Sequence, residues 1–248
     1  MNSMARHSLD SGEDLRAGPK LWSEMHGSPG SALSPISDAS TTASEWALGP
    51  AKRVFDILVA GLVVLITAPL LALVAVVISI GMGRPLLFRQ LRLGRSGKAF
   101  VIYKFRTMAG PAPADRSLDA HRLTPLGRWL RRWSLDELPQ LANVLRGEMS
   151  LVGPRPLPID YAGRYSGRQR RRHLIKPGIT GLAQVSGRNR TSWRQRFELD
   201  LWYVEQASLW LDLRILARSL AVVFSGAGVG PRGAALMPEF QGDRRNSA

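Results

Sequence analysis

Asp136 and Glu137 stand side by side in the segment SLDELPQL (134–141), flanked by leucines and following a stretch that carries Arg128, Arg131 and Arg132. Two adjacent carboxylates in such a setting serve either to complement the positive end of a helix or to act as nucleophile, acid/base or metal ligand. The helix-cap reading has support: Ser134 with Glu137 three residues later is a capping-box pattern. Pro139 weighs against it, because a helix begun at Ser134 loses the hydrogen bond from position 139 to Leu135. Leu138 as N-cap with Pro139 at the first helical position fits better and leaves both acids in the preceding turn, free to reach a metal ion or a phosphorus atom. The residues alone leave both readings open.

What surrounds the pair favours phosphate chemistry. Arg128, Arg131, Arg132, Arg146, Arg155 and Arg188 can each grip a phosphate bidentately, although any one of them is equally well a solvated charge. The glycines of VGPRP (152–156) and KPGITGLAQVSGRN (176–189) permit tight turns and close backbone approach, as a diphosphate site requires and an ordinary loop tolerates. The chain lacks cysteine, which removes disulfides, thiolate nucleophiles and cysteine-based zinc sites. His7, His26, His121 and His173 are scattered without metal-ligand spacing. No P-loop or dinucleotide pattern occurs, and GAGVG (226–230) follows a helical stretch rather than a strand.

The formal charge of +15 is unevenly placed, since residues 1–50 hold three Lys/Arg against six Asp/Glu and the remainder 31 against 13, a body of +18. Such an excess attracts polyanions: nucleic acid, anionic lipid or substrate phosphate. Residues 1–50 are rich in Ser, Gly, Ala and Pro without an apolar period, the composition of a disordered extension. Ile57 to Ile80 then runs for 24 residues without a charge, which places the segment in a membrane.

Whether that segment crosses the bilayer or dips in and returns is a separate matter. Pro69 sits near its midpoint, and each half of about 12 residues makes roughly 18 Å of helix, short of a hydrocarbon core of about 30 Å. Lys52 and Arg53 precede the run and Arg84, Arg89, Arg92 and Arg95 follow it, so the positive-inside tendency holds both ends in the cytoplasm. A spanning helix kinked at Pro69, with Thr67 re-satisfying freed backbone groups, is the competing reading.

Downstream, PLLFRQLRLG and KAFVIYKFRTM are expected as two strands about the turn 94–97. Thr124 and Pro125 supply an N-cap and first helical position, and further helices are expected over 192–206 and 209–224. Trp193, Trp202 and Trp210 among Arg194, Arg196, Arg214 and Arg218 give that last region the make-up of an interfacial amphipathic helix, or of a packing face with solvated charges. The run RQRRRH (168–173), beside a membrane segment, reads as an anionic-lipid contact rather than a nucleic-acid one.

From Lys52 to about Ser219 the chain resembles the monotopic phosphoglycosyl transferases, the bacterial sugar transferase family. The likeness is carried by KRVFD before the apolar run, YKFRTM (103–108), SLDELPQLANVLRGEMSLVGPRP (134–156), KPGITGLAQVSGRN and FELDLWYVEQASLWLDLRIL (197–216). It implies an α+β, mostly helical fold: a disordered extension over 1–50, a re-entrant membrane helix-hairpin over 51–83 broken at Pro69, a cytoplasmic catalytic domain over 84–224 with a short β-hairpin and amphipathic interfacial helices, and a flexible tail over 225–248. It further implies Asp136 and Glu137 as a catalytic dyad, with Asp136 as nucleophile and Mg²⁺ ligand, and Arg131, Arg155 and Arg188 as groups that bind substrate phosphate or nucleotide. Asp56 of KRVFD is expected to be structural, paired with a nearby arginine at the membrane surface. The implied reaction moves a sugar 1-phosphate from a UDP-sugar to polyprenyl phosphate, with release of UMP, on the cytoplasmic face of the bacterial inner membrane. Anionic membrane lipid is an expected partner and nucleic acid is not, while the resemblance leaves room for a homodimer. The chain departs from the family pattern in carrying Thr67-Ala68-Pro69 where many relatives have Ser-Pro, so that the bend rests on Pro69 alone.

Overall fold

A computed structural model describes residues 43–110, 122–186, 192–225 and 239–242. The apolar run becomes one helix, α1 (Pro50–Met82), of 33 residues. Pro50 starts it at a position where the missing N–H costs nothing, and Gly83, in the left-handed region, ends it. Pro69 lies inside, and Thr67 Oγ1 donates to the Val63 carbonyl at 2.7 Å within the same stretch. The helix is long and apolar enough to cross a membrane.

One face of α1 is covered along its length. Lys52, Asp56, Ala60, Val74 and Ile78 are buried, with partly buried Val63, Val64, Thr67 and Leu71 between them, the three-to-four spacing of a single helical stripe. The opposite face leaves Leu58, Leu62, Leu65, Ile66, Leu73 and Ile80 exposed. Both ends are tied to the rest of the chain: Arg53 donates to the carbonyls of Val144 and Leu145, and Arg106 donates to those of Met82, Gly83 and Arg84.

Strands β1 (Leu87–Leu93) and β2 (Ala99–Phe105) form the expected antiparallel hairpin, with Leu87 opposite Phe105 and Leu93 opposite Ala99. Its turn turns on Ser96 and Gly97, both at positive φ. Helix α2 (Pro125–Arg132) follows, with the Thr124 side chain accepting from the Gly127 amide at 2.9 Å. A 3₁₀ segment (Leu135–Gln140) then leads into α3 (Leu141–Arg146). A second sheet, not anticipated from the sequence, pairs β3 (Ser150–Val152) with β4 (Gly178–Thr180) in parallel. Its glycines are needed for closeness: a Cβ on Gly178 would lie 2.1 Å from the Gly153 amide nitrogen. Helices α4 (Trp193–Gln206) and α5 (Leu209–Ser225) fall where expected, α4 opened by a full capping box of Ser192 and Gln195.

The two halves of α1 cover different parts of the core. Phe55, Val59, Ala60, Val63 and Val64 pack with residues of β2, α3, β3, α4 and α5, whereas Leu71, Val74, Ala75 and Ile78 pack with Phe105, Leu126, Leu130 and Leu135. A third, aromatic cluster joins Tyr161, Tyr165, Phe197, Trp193 and Phe240.

Two expectations need correction. Of the extension read as disordered, residues 1–42 lie outside the described residues, but 43–50 are folded: Trp46 stacks obliquely near Phe55 and donates its indole N–H to Asp212 at 2.9 Å. The tail read as flexible over 225–248 includes Phe240, buried in the aromatic cluster, with Arg164 bound to Glu239 at 2.7 Å. A lone aromatic in polar sequence carries no period, so neither anchor is visible before its pocket is. The basic run 168–173 is largely spoken for within the protein: Arg168, Arg171 and Arg172 pair with Glu198, Glu205 and Asp200 of α4, and Arg172 is buried.

Candidate active site

The 3₁₀ segment that holds the acidic pair is wedged between α2, α3 and β2. Ser134 enters it in the left-handed region and makes no side-chain cap, so the capping box read from Ser134 and Glu137 does not form. Neither does the alternative N-cap at Leu138, since α3 starts only at Leu141. Pro139 explains both outcomes, because its missing N–H breaks the α-type ladder and the chain takes a tighter turn before the helix proper.

The two carboxylates live in different surroundings. Glu137 accepts from Lys104 Nζ at 2.5 Å and from Arg155 at 2.7 Å. Burial alone would raise its pKa, but Arg155 and Lys104 outweigh that effect and hold the Glu137 carboxyl far below the usual range. Asp136 is 7 % exposed and has neither a hydrogen bond nor an ion pair to any described residue. Burial, followed by the Glu137 charge, pushes its pKa up, against the pull of Lys104, Arg131 and Arg155. Lys104 itself is lowered by burial, with the Glu137 charge opposing the shift.

Two residues of the site escaped sequence reasoning. Lys104, next to the end of β2, was read only as part of a strand, and the register that brings it to Glu137 is set by pairing with Phe88. Its signal lay in the period of two: Lys104 shares the strand face of buried Phe100 and Ile102, at the end nearest the dyad. Thr107 is buried and accepts from Arg131 Nε at 3.1 Å, fixing that guanidinium beside Asp136. This contact needs Gly127, where a Cβ would sit 2.0 Å from the Thr107 carbonyl oxygen.

Of the expected phosphate-binding arginines, Arg131 and Arg155 converge on the dyad, and Arg188 lies outside the described residues. Arg128 reaches back to the Leu123 carbonyl, and Arg146 lies over the Tyr103 ring at 5.1 Å, so neither joins them. Asp56 has a structural place, but its partner is not the expected arginine: it is bound to Lys52, one turn earlier on α1, at 2.9 Å and to the Leu151 amide at 3.2 Å. His173 is buried and neutral, its pKa lowered to about 3 by burial and by Arg172, with Nδ1 against the Gly94 carbonyl.

No group of three or more histidines and carboxylates is gathered for a metal among the described residues. The chemistry of Mg²⁺ does not demand one, because that ion commonly takes one or two carboxylates and fills its sphere with phosphate oxygens and water. Asp136, with no partner among the described residues, is the carboxylate free to meet it.

The arrangement is a buried carboxylate without a partner beside a second carboxylate that anchors a lysine and an arginine. Such a site can present one anionic oxygen as nucleophile while fixed cations hold an anionic substrate against it. The family model described as bacterial sugar transferase matches residues 47–226. The uncharacterized sugar transferase EpsL of Bacillus subtilis is 47% identical over 180 residues, covering 72% of this chain and 89% of EpsL. A UDP-glucose:undecaprenyl-phosphate glucose-1-phosphate transferase of Caulobacter vibrioides is 46% identical over 181 residues, 68% of each chain. An undecaprenyl-phosphate galactose phosphotransferase of Salmonella typhimurium is 40% identical over 196 residues, covering 71% of this chain and 41% of its own length. The chain belongs to the bacterial sugar transferase family.

Proposed function

We propose that the chain transfers a sugar 1-phosphate from a UDP-sugar to undecaprenyl phosphate in two steps through an aspartyl intermediate at Asp136. The observation that carries the mechanism is the split between the two carboxylates: Glu137 is engaged by Lys104 and Arg155, and Asp136 is buried without a partner. The names of the relatives support the substrate classes, since they act on UDP-glucose, glucose or galactose and undecaprenyl phosphate.

In the first step an Asp136 oxygen forms a bond to the phosphorus that bears the sugar, the bond from that phosphorus to the bridging oxygen breaks, and the electron pair leaves with UMP. In the second a phosphate oxygen of the acceptor attacks the same phosphorus and Asp136 departs as a free carboxylate. Arg155 and Lys104, fixed by Glu137, and Arg131, fixed by Thr107, offset the negative charge that gathers as nucleophile and diphosphate meet. Glu137 thereby acts by positioning cations. Mg²⁺ is part of the proposal: Asp136 would hold it, and it would supply further neutralisation of the diphosphate. Release of UMP on adding UDP-sugars and undecaprenyl phosphate to the purified chain tests the reading, and intact UDP-glucose and UDP-galactose under those conditions would oppose it.

A nucleophilic Asp136 must be ionised. Its pKa is raised, by burial and then by Glu137, so kcat/KM is expected to fall with acidity at a pH above the ordinary aspartate range. The Glu137→Gln variant, which removes the neighbouring like charge, shifts that limb to lower pH. A pH–rate profile with its acidic limb at the ordinary aspartate value in both proteins would contradict the assignment.

The same reading places the chain on the cytoplasmic face of the inner membrane with α1 entering and leaving on one side. Support comes from the anchoring of both helix ends to one domain through Arg53 and Arg106, and from the exposed apolar face between them. The exposed residues Trp210, Leu213, Leu220 and Phe224 give α5 an apolar face of its own. Because the chain has no cysteine, single substitutions Ala51→Cys and Gly81→Cys report topology cleanly. Both are expected to react only from the cytoplasmic side; a cysteine at one end labelled from outside intact cells would show a spanning helix instead.

A further inference from the structure

Away from the dyad, a shallow open cleft lies where α1 begins, lined by Gly49, Lys52, Arg53, Asp56, Arg95 and Lys176 among others. Four cations face one carboxylate there. That carboxylate, Asp56, is already bound by Lys52 at 2.9 Å, and Lys52 also holds the buried Asp212 at 2.8 Å. Arg53 spends its guanidinium on the carbonyls of Val144 and Leu145, which are neutral. Arg95 and Lys176 have no acidic partner among the described residues, and the Lys176 pKa is lowered by burial and then by the charge of Arg53.

This clustering is costly without a counter-charge, since like charges repel where water screens them poorly. The N-terminus of α1 adds to the same field: its cap residue, Gly49, offers no side chain to the first-turn amides and itself lines the cleft. An anion of phosphate type, with several acceptor oxygens, matches a cleft built from fixed cations and amide donors. Leu48, itself in the lining, is 45% exposed, and Val54 and Leu58 are exposed on the outer face of the first turns of α1. A phosphate bound in the cleft therefore sits where the apolar surface of α1 begins, within reach of hydrocarbon chains that cover it.

We propose that this cleft binds the phosphate of an anionic phospholipid headgroup, gripped by Arg95, Lys176 and Arg53, and that it seats the start of α1 at the membrane surface independently of the reaction at Asp136. The proposal rests on the membrane-associated reading of α1. Arg168 and Arg171, paired to acids of α4, lie outside the cleft and serve as a comparison.

Native mass spectrometry of the full chain, equilibrated in mixed micelles with equal amounts of phosphatidylglycerol and phosphatidylcholine, tests it. The wild type is expected to retain one phosphatidylglycerol in preference. R95Q/K176Q is expected to lose that preference by about 20-fold, since each cation at an anionic surface contributes about 1 kcal/mol, or roughly fivefold. R168Q/R171Q keeps it. Should the double variant fold poorly, Arg95→Gln alone, at an exposed position, carries the comparison with an expected loss of about fivefold. Undiminished preference in the cleft variants would overturn the proposal, as would displacement of the lipid by excess inorganic phosphate in neutral micelles, which would mark a site for a soluble anion. A chain that needs no detergent to stay in solution would count instead against the membrane reading beneath it.

Discussion

Asp136→Asn is expected to lower UMP release from a UDP-sugar by about 10⁴-fold, with the fold intact, as the loss of a covalent nucleophile does in enzymes whose groups act as a unit. The substitution keeps the shape of the side chain and removes its charge. Because Asp136 has no partner in the structure, nothing is orphaned by the change. The desolvation that raises its pKa is relieved as well, so thermal stability is expected to hold or to rise. A calorimetric scan alongside the rate measurement separates the two effects. A helix-capping acid would behave in the opposite way, with stability falling by about 1 kcal/mol and activity nearly preserved.

Arg155→Met is expected to cost about 10² to 10³-fold in kcat/KM, the range seen when one fixed electrostatic donor is removed from a reacting centre. The loss has two sources. The guanidinium no longer meets the diphosphate, and Glu137, bound at 2.7 Å by Arg155, keeps only Lys104 as its partner. The Glu137 carboxyl then rises from its depressed value toward the ordinary range, and the acidic limb of the rate profile broadens. Arg155→Lys restores charge without the two-pronged grip and is expected to recover only part of the rate. Equal kinetics for Arg155→Met and wild type would remove Arg155 from the site.

Much of the scaffold is written locally. The Thr124-Pro125 start of α2, the β1–β2 hairpin and the boundaries of α4 and α5 follow from caps, turn residues and period, because each depends on neighbours within a few positions, whereas the apolar segment, expected as a hairpin broken at Pro69, is one helix over Pro50–Met82. The parallel pairing of Ser150–Val152 with Gly178–Thr180 joins two three-residue segments far apart in sequence, too short to show any period. Its trace was the glycines themselves, whose necessity appears only when the backbones meet.

The site was legible in part for the same reason. Asp136 and Glu137 advertised themselves by adjacency, but which of them is free is a matter of Lys104, 33 positions from Glu137, and Arg155, 18 positions from it. No spacing rule connects such residues. The basic run at 168–173 shows the same limit, since its pairing with Glu198, Glu205 and Asp200 of α4 is not visible in the local pattern. Trp46 and Phe240 were lost in polar flanks for want of any partner within reach along the chain.

The covalent role of Asp136 is tested most directly by the intact mass of the protein after incubation with UDP-glucose or UDP-galactose and Mg²⁺ in the absence of a lipid acceptor. The wild type is expected to gain the mass of one hexose phosphate, carried by the peptide that contains Asp136 and discharged on addition of undecaprenyl phosphate, while Asp136→Asn gains nothing. UMP formed in step with transfer, with no mass gained by the wild type at any time before the acceptor is added, or an adduct that persists in Asp136→Asn, would contradict it.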